Sequence, residues 1–484
     1  MRLHHPLPLA LAVLAVAPAA ADAATANPQR FVTRPDLRPP GIRITTSTPQ
    51  ATPGLTFAAP KRDAKGSQAG NVIFDLSGEP VYFRPSQGTS MEFRVQRYQD
   101  RPVLTWWEGK GFRGYGEGTG YVVDQQYHQV ATVKAGNGVK ADFHEFKLTD
   151  RGTALLLFYK AQKRDLRSFG GQKNGRVMEN GFQEVDLATG KVLVDWRAQR
   201  HVSPRDAYHP VPQRSEIPWD FFHINSVNLD TDGNFLVSSR STHTIFKIDR
   251  RSGKILWRLG GKRSTFKLGR GVRFLWQHDV HRRADGTISI FDNRARDATQ
   301  RVSGRGIILR VDEAARTASL VREYRRPGFN RSPNQGNFQT TETGNLLAGW
   351  GGENPYMTEF APDGRIVWEA RFARRPTESY RAYRQTWHAQ PTTAPKVAAR
   401  RAGATTAVRA SWNGATTVAR WRVLAGPTDA QLVPVGERTR TGFETLVTVP
   451  GAHARVAVEA LDAGGNVLSR SKVAAADRRS YVVQ

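Results

Sequence analysis

Residues 223–261 read "HINSVNLDTDGNFLVSSRSTHTIFKIDRRSGKILWRLGG", and the punctuation of this stretch decides the fold. "TDGN" and "DRRSGK" are glycine turns between short runs of β-formers, the second with the Asp-x-x-x-Gly-Lys spacing of a hairpin. The first half is an inner-strand phrase that opens on a histidine, and the second half is an outer hairpin. Together they hold about four strands, the content of one propeller blade.

Copies of both phrases recur. Inner phrases begin at His144 ("HEFKLTDRGTALLLFY"), His278 ("HDVHRRADGTISIFDNR") and Gly336 ("GNFQTTETGNLLAGWG"). Outer hairpins occupy 74–84 ("FDLSGEPVYFR"), 185–197 ("VDLATGKVLVDWR") and 360–372 ("FAPDGRIVWEARF"), with a degenerate copy at 311–325. The four inner phrases start 79, 55 and 58 residues apart, wide for minimal blades and therefore loop-rich. A further blade fits 96–140. The 74–84 hairpin lacks an inner phrase, so it is expected to complete a last blade with strands from the far end of the chain, which removes exposed edges. The pattern predicts an all-β chain with a propeller over residues 70–396, of five or six blades with six preferred.

The flanks differ in texture. Residues 1–23 carry Arg2, a short apolar core from Leu7 to Val16 and small-residue cleavage sites, which reads as a secretory signal peptide. The apolar run is shorter than the roughly 20 residues that a membrane span needs, and no other stretch is long enough. Residues 24–69, rich in Pro and Thr, read as an extended segment, either linker or strand. Residues 401–484 hold short alternating strands, with Trp412 and Trp421 as core candidates, and are expected to form a small immunoglobulin- or fibronectin-like sandwich.

Composition narrows the function. The chain has no cysteine, which excludes disulfides, thiol nucleophiles and thiolate metal sites. Its 71 basic and 43 acidic residues give a net charge of +28. The arginines are dispersed and no nucleic-acid recognition motif is present, so on an exported protein this charge suits anionic envelope polymers or anionic small substrates.

The histidines are the informative residues. His144, His223 and His278 lie eight, ten and eight residues ahead of Gly152, Gly233 and Gly286. Innermost propeller strands run along the central channel, so equivalent positions on successive blades converge on one mouth. The competing reading is that each His caps its own strand. Within "HDVH", positions i and i+3 of an extended strand face opposite ways, so His278 is expected in the channel and His281 in a structural role. The absence of an HExxH motif and the scarcity of nearby carboxylates argue against a metal site. Asn225, Arg240, Asn293 and Arg294 or Arg296 lie on or just past the same strands, where amide and guanidinium donors suit a tetrahedral oxyanion. Arg240 reads as a solvated strand end.

"PWDFFHINSVNLDTDGNFLVSSRSTHTIFKID", "GKILWRLGG", "FLWQHDVH", "ISIFDNR" and "GNLLAGWGGENPYMTEF", in this order, resemble the bacterial arylsulfotransferase family, in the branch common in actinobacteria. The resemblance covers about residues 70–390. It implies a six-bladed propeller and PAPS-independent transfer of a sulfuryl group from a phenolic sulfate ester to a phenol, through a transiently sulfated histidine. His223 and His278 match two active-site histidines of the family, and Arg296, or alternatively Arg294, its sulfate-binding arginine. His144, Asn225 and Asn293 complete the expected substrate site. The departure concerns the nucleophile, which the family carries later in the chain. No histidine occurs between His281 and His388, and His388 is the one conceivable substitute. No cofactor and no metal are expected. The partners are a phenolic sulfate donor and a phenol acceptor, with an anionic cell-envelope polymer as a further candidate. Two other readings stand beside this one: a catalytically silent propeller that binds anionic glycans, and a quinone-cofactor dehydrogenase suggested by the "GKILW" hairpins.

Overall fold

A computed structural model of the chain describes residues 28–61, 66–112, 114–295 and 300–477. The signal-like segment 1–23 and Arg296 lie outside the described residues. Apart from three 3-10 turns, the regular structure among those residues is β-strand.

Turn chemistry dictates the strands. At Asp249–Lys254 the Asp249 carboxylate accepts the Ser252 N–H and hydroxyl, both at 2.7 Å. Gly253 takes φ +69°, a left-handed conformation that a β-carbon would strain. The same arrangement recurs at Asp186, where Thr189 supplies both donors. On the inner side, the N–H of Gly233 donates to Asp230 O at 2.9 Å, and Gly152, Gly286 and Gly344 do the same at their phrases. The sequence repeat is thus a repeat of turns.

The strands assemble into antiparallel sheets in a propeller-like arrangement. Four sheets have the four- or five-stranded order of a blade. One begins at Ile224–Leu229, one at His278–Arg282 and one at Asn337–Thr340. In the fourth, Ser379–Gln385 pairs with Leu55–Pro60, which leads on to Gly70–Phe74 and Pro80–Pro85. The 74–84 hairpin therefore takes its inner strand from the far end of the chain, as its missing phrase requires. Residues 24–69 are more than a linker, because Ile42–Ser47 also pairs with Ile366–Phe372. A fifth sheet of eight strands runs from Thr89–Tyr98 to Val192–Arg197 and is joined across its middle by the single pair Gly118–Ala141. The C-terminal residues form a separate, barrel-like eight-stranded sheet around a core that includes Trp412 and Trp421. This unit docks on the outer strand Pro80–Pro85, where the Asn413 amide meets both Phe83 N–H and Phe83 O at 2.9 Å.

The innermost strands pack in a circle: Ser379–Gln385, Thr89–Tyr98, Ala141–Leu148, Ile224–Leu229, His278–Arg282, Asn337–Thr340 and back to the first. At its centre sits a fully buried ionic network. Arg381 Nη1 donates to Glu92 at 2.9 Å and to Glu145 at 3.1 Å, and its Nη2 donates to Asn225 O at 3.0 Å. Arg94 binds Glu145 at 2.7 Å and the Tyr383 hydroxyl at 2.9 Å. Burial pushes the Glu92 carboxyl up to about 8, although Arg381 and Arg94 pull it back. β-Bulges, with Glu92 at φ +58° and Asp279 at φ +53°, aim these side chains inward. The network divides the channel into two cavities of about 830 and 850 Å³. Tyr380 lines the first, Tyr383 and Gln385 line the second, and Arg381 lines neither.

Breaking a buried ion pair leaves an uncompensated charge, which costs about 3–5 kcal/mol. Arg381→Met is therefore expected to lower the unfolding free energy by that amount in denaturant titration, whereas Arg365→Met, whose exposed pair with Asp363 is worth under about 1 kcal/mol, should leave it nearly unchanged.

Candidate active site

The first cavity is built around three histidines. His144 stands two residues after Asp142, whose Oδ1 accepts both the His144 N–H at 2.9 Å and its Nδ1–H at 2.5 Å. His223 stands three residues after Asp220 and adopts φ +49°. That backbone turn lets Asp220 accept the His223 N–H at 3.0 Å and its Nδ1–H through the other oxygen. His278 is held by neutral oxygens, with Nδ1 2.7 Å from Asn293 Oδ1 and 2.9 Å from Trp276 O. Two donations from Asn293 Nδ2, to Ser332 O and Gln335 O at 2.9 Å, fix that amide's orientation. In all three rings the Nδ1 partners are acceptors, so Nδ1 carries the proton and Nε2 the lone pair, which in His278 accepts the Gln335 N–H at 3.2 Å.

The rings converge. His144 and His223 meet edge-to-face with centroids 5.0 Å apart, and Tyr380 lies 5.6 Å from His144 and 6.4 Å from His278. Arg240 completes the group, its guanidinium 4.4 Å above the Trp276 ring. Burial holds His223 and His278 well below the usual imidazole range, and the charge of Arg240 adds to the effect in both. Burial also raises Asp220, although Arg240 and His144 oppose it.

Four buried polar atoms of the cavity lining have no hydrogen-bond partner: Ser67 Oγ, His223 Nε2, Arg240 Nε and the Tyr380 hydroxyl. Among the described residues, the cavity lining includes Arg38, Lys61 and Arg240 but no carboxylate; the aspartates stand behind the imidazoles. A cavity with this lining, the unsatisfied Arg240 Nε–H and the Ser67 and Tyr380 hydroxyls fits an oxyanion.

Several residues expected at the site lie elsewhere. Asn225 does not line the cavity: its amide donates to Gln277 O at 2.8 Å and ties neighbouring sheets together. Asn293 stands behind His278 as its orienting partner. Arg294 is exposed on the turn after the Ile288–Asp292 strand, outside the cavity, and the half-buried Arg240 supplies the cation in its place. Arg240 is not the solvated strand end that its position suggests. His281 bonds Asp279 at 2.8 Å and lines the second cavity. The bulge at Asp279 pairs His278 with Phe291 and His281 with Ser289, so the two histidines are separated along the channel rather than across the strand. His388 is exposed and takes no part in the site. The carboxylates missed by the sequence reading had a signal, since "DFH" (142–144) and "DFFH" (220–223) place an acid just ahead of each imidazole.

In this all-β, propeller-like chain the three histidines thus surround a cavity that no carboxylate lines among the described residues. The family model for arylsulfotransferase (ASST) matches residues 94–373, more than half of the chain, and the chain belongs to that family. No curated protein matches it. Among solved structures, a protein of unknown function from Bacteroides caccae is 12% identical, with a TM-score of 0.40 over 66% of this chain and 93% of that one. The periplasmic gluconolactonase of Pseudomonas aeruginosa is 13% identical, with a TM-score of 0.37 over 83% of this chain and 100% of that one.

Native His223 and His278 resist protonation, whereas unfolded imidazoles titrate near pH 6.5. Their depressed values contribute stability that is present above about pH 6.5 and lost on acidification, at about 1.4 kcal/mol per pH unit for each. Unfolding titrations between pH 7 and 5 should therefore show a shallower loss in the H223Q/H278Q variant than in the wild type. Parallel slopes would contradict the assignment.

Proposed function

We propose that this chain is an exported, PAPS-independent arylsulfotransferase that moves a sulfuryl group from a phenolic sulfate ester to a phenol within the first cavity. The observation that carries the reading is Arg240, whose buried Nε stands beside three imidazoles in a cavity that no carboxylate lines among the described residues. Membership of the family supports phenolic substrates. Export follows from the signal-like segment 1–23, and among the described residues no helix is long and apolar enough to cross a membrane. The closed circle of six innermost strands, and the single residue pair that joins the halves of the eight-stranded sheet, support a six-bladed count. The C-terminal unit is read as an immunoglobulin-like sandwich.

Partner chemistry separates the roles of the histidines. A carboxylate at Nδ1 raises imidazole basicity and suits a proton carrier. A neutral oxygen at Nδ1 leaves the proton on the ring after Nε2 is sulfated, and the resulting N-sulfoimidazolium remains a good leaving group. His278 therefore takes the nucleophile's part, and no later histidine is needed. Its Nε2 gives up the Gln335 N–H that it accepts at 3.2 Å and attacks sulfur, the S–O bond to the phenolate breaks, and the departing oxygen receives a proton from carboxylate-backed His223 or His144. In the second half the same base removes the acceptor's proton while the phenol oxygen attacks sulfur and the S–N bond breaks. Arg240 Nε and the Tyr380 hydroxyl supply preorganised donors for the sulfuryl oxygens. The negative sulfate ester also offsets the charge of Arg240 beside His223, which favours its protonated form when substrate is bound.

Purified protein is expected to transfer sulfate from 4-nitrophenyl sulfate to phenol without added nucleotide, and to form an acid-labile sulfohistidine in a peptide containing His278. His278→Gln should abolish the adduct, and Arg240→Met should lower kcat/KM about 100- to 1,000-fold. Absence of turnover together with absence of the adduct would overturn the reading.

A further inference from the structure

A groove of about 600 Å³ lies beside the mouth of the first cavity, outside the machinery described above. Arg301, Arg326, Arg331 and Arg375 line it, with Phe329 and Tyr356, against a single acid among the described residues, Glu353. Two guanidiniums rest on aromatic faces, Arg326 at 3.6 Å from the Tyr356 centroid and Arg301 at 5.5 Å from that of Phe329. Stacking holds a guanidinium by its face and leaves its edge, the fork that binds oxyanions bidentately, pointing away from the ring. Arg326 is paired with Glu369 and Arg331 with Glu353, whereas among the described residues no carboxylate pairs with Arg301 or Arg375.

The groove and the cavity share a wall. Arg331 binds Glu353, the Glu353 N–H donates to Glu378, and Glu378 binds Lys61, which lines the cavity mouth, at 2.6 Å. Along the chain, Phe329, Asn330 and Arg331 line the groove, and Asn334 and Gln335, three residues farther on, line the cavity. The peptide N–H of Gln335 itself donates to His278 Nε2 at 3.2 Å. A molecule with its phenolic end in the cavity would therefore have its remote end beside four arginines.

We propose that this groove is a subsite for a second oxyanion of the substrate, so that the preferred acceptor is a phenol bearing a remote carboxylate, sulfonate or phosphate rather than a neutral phenol. The inference rests on the phenol chemistry proposed above. The charge count supports it, because the second cavity of the channel mixes Arg and Lys with Asp100, Asp150, Asp279 and Asp285, whereas this groove is almost wholly basic.

The test compares phenol with phenols carrying a carboxylate or a sulfonate on alkyl tethers of increasing length, for wild type, R301S/R375S and R301K/R375K. The readout is the ratio of kcat/KM for the anionic over the neutral acceptor. Wild type should prefer an anionic acceptor of one tether length, and this preference should fall about tenfold in R301S/R375S, the loss of one charge-assisted contact. R301K/R375K should keep part of it, and salt should weaken it in the wild type. Both arginines are exposed, and thermal melting checks that the variants fold. Equilibrium dialysis of the same compounds reads the same ratio without turnover. A binding preference with no catalysis would uphold the groove and overturn the transferase, whereas catalysis with equal ratios in wild type and R301S/R375S would overturn the groove alone. A preference for the carboxylate over the sulfonate, or the reverse, identifies the class of oxyanion.

Discussion

The buried contact of Arg381 and Arg94 with Glu92 and Glu145 is the constraint on which the rest of the molecule depends. Arg381 comes from the strand that the end of the channel domain contributes, Glu92 and Arg94 from the first strand of the eight-stranded sheet, and Glu145 from its middle. Charges so deeply desolvated must be matched, and they are matched only where the strand from the end of the channel domain meets the eight-stranded sheet. The same contact decides what the channel is. With its centre filled by side chains it is not a pore, and the cavity on the histidine side has one open end.

That closed floor explains how the site is made. The inner strands reach it through bulges, and the residues just above the bulges are the ones that present Nε2 atoms upward. His223, Trp276, Asp279 and Gln335 all hold positive φ values, a conformation that side-chain residues adopt at a cost and keep where surrounding structure enforces it. Asp142, Asp220 and Asn293 then lock the rings by their far nitrogens. Rotation of any imidazole is opposed by a hydrogen bond, so the geometry exists before substrate arrives.

Much of the fold was legible in the sequence because its signals are local. Gly233, Gly253 and the aspartates beside them specify turns regardless of what surrounds them, and the orphan hairpin at 74–84 revealed that the chain ends must meet. The convergence of His144, His223 and His278 followed from register alone. What failed were inferences that carried strand periodicity across an irregularity. The bulge at Asp279 defeated the face argument for His281, and the bulge at Asn225 turned a candidate donor toward Gln277 O. Arg294 and Arg240 both sit at strand ends, and only the Trp276 ring, packed from another loop, distinguishes the exposed arginine from the half-buried one. The carboxylates behind the histidines were written in plain sight, two and three residues upstream.

The contact between Asn413 and Phe83 has a kinetic meaning. Its amide imitates a peptide unit, satisfying the donor and the acceptor of a strand that would otherwise end the sheet. That sheet is the one in which the two ends of the channel domain meet, and it is where a ring of blades would come apart first. A unit clipped to its outer edge acts as a latch: the ring cannot open until the latch lets go. In a chain without cysteine, this non-covalent clip stands where a disulfide could otherwise tie down the edge.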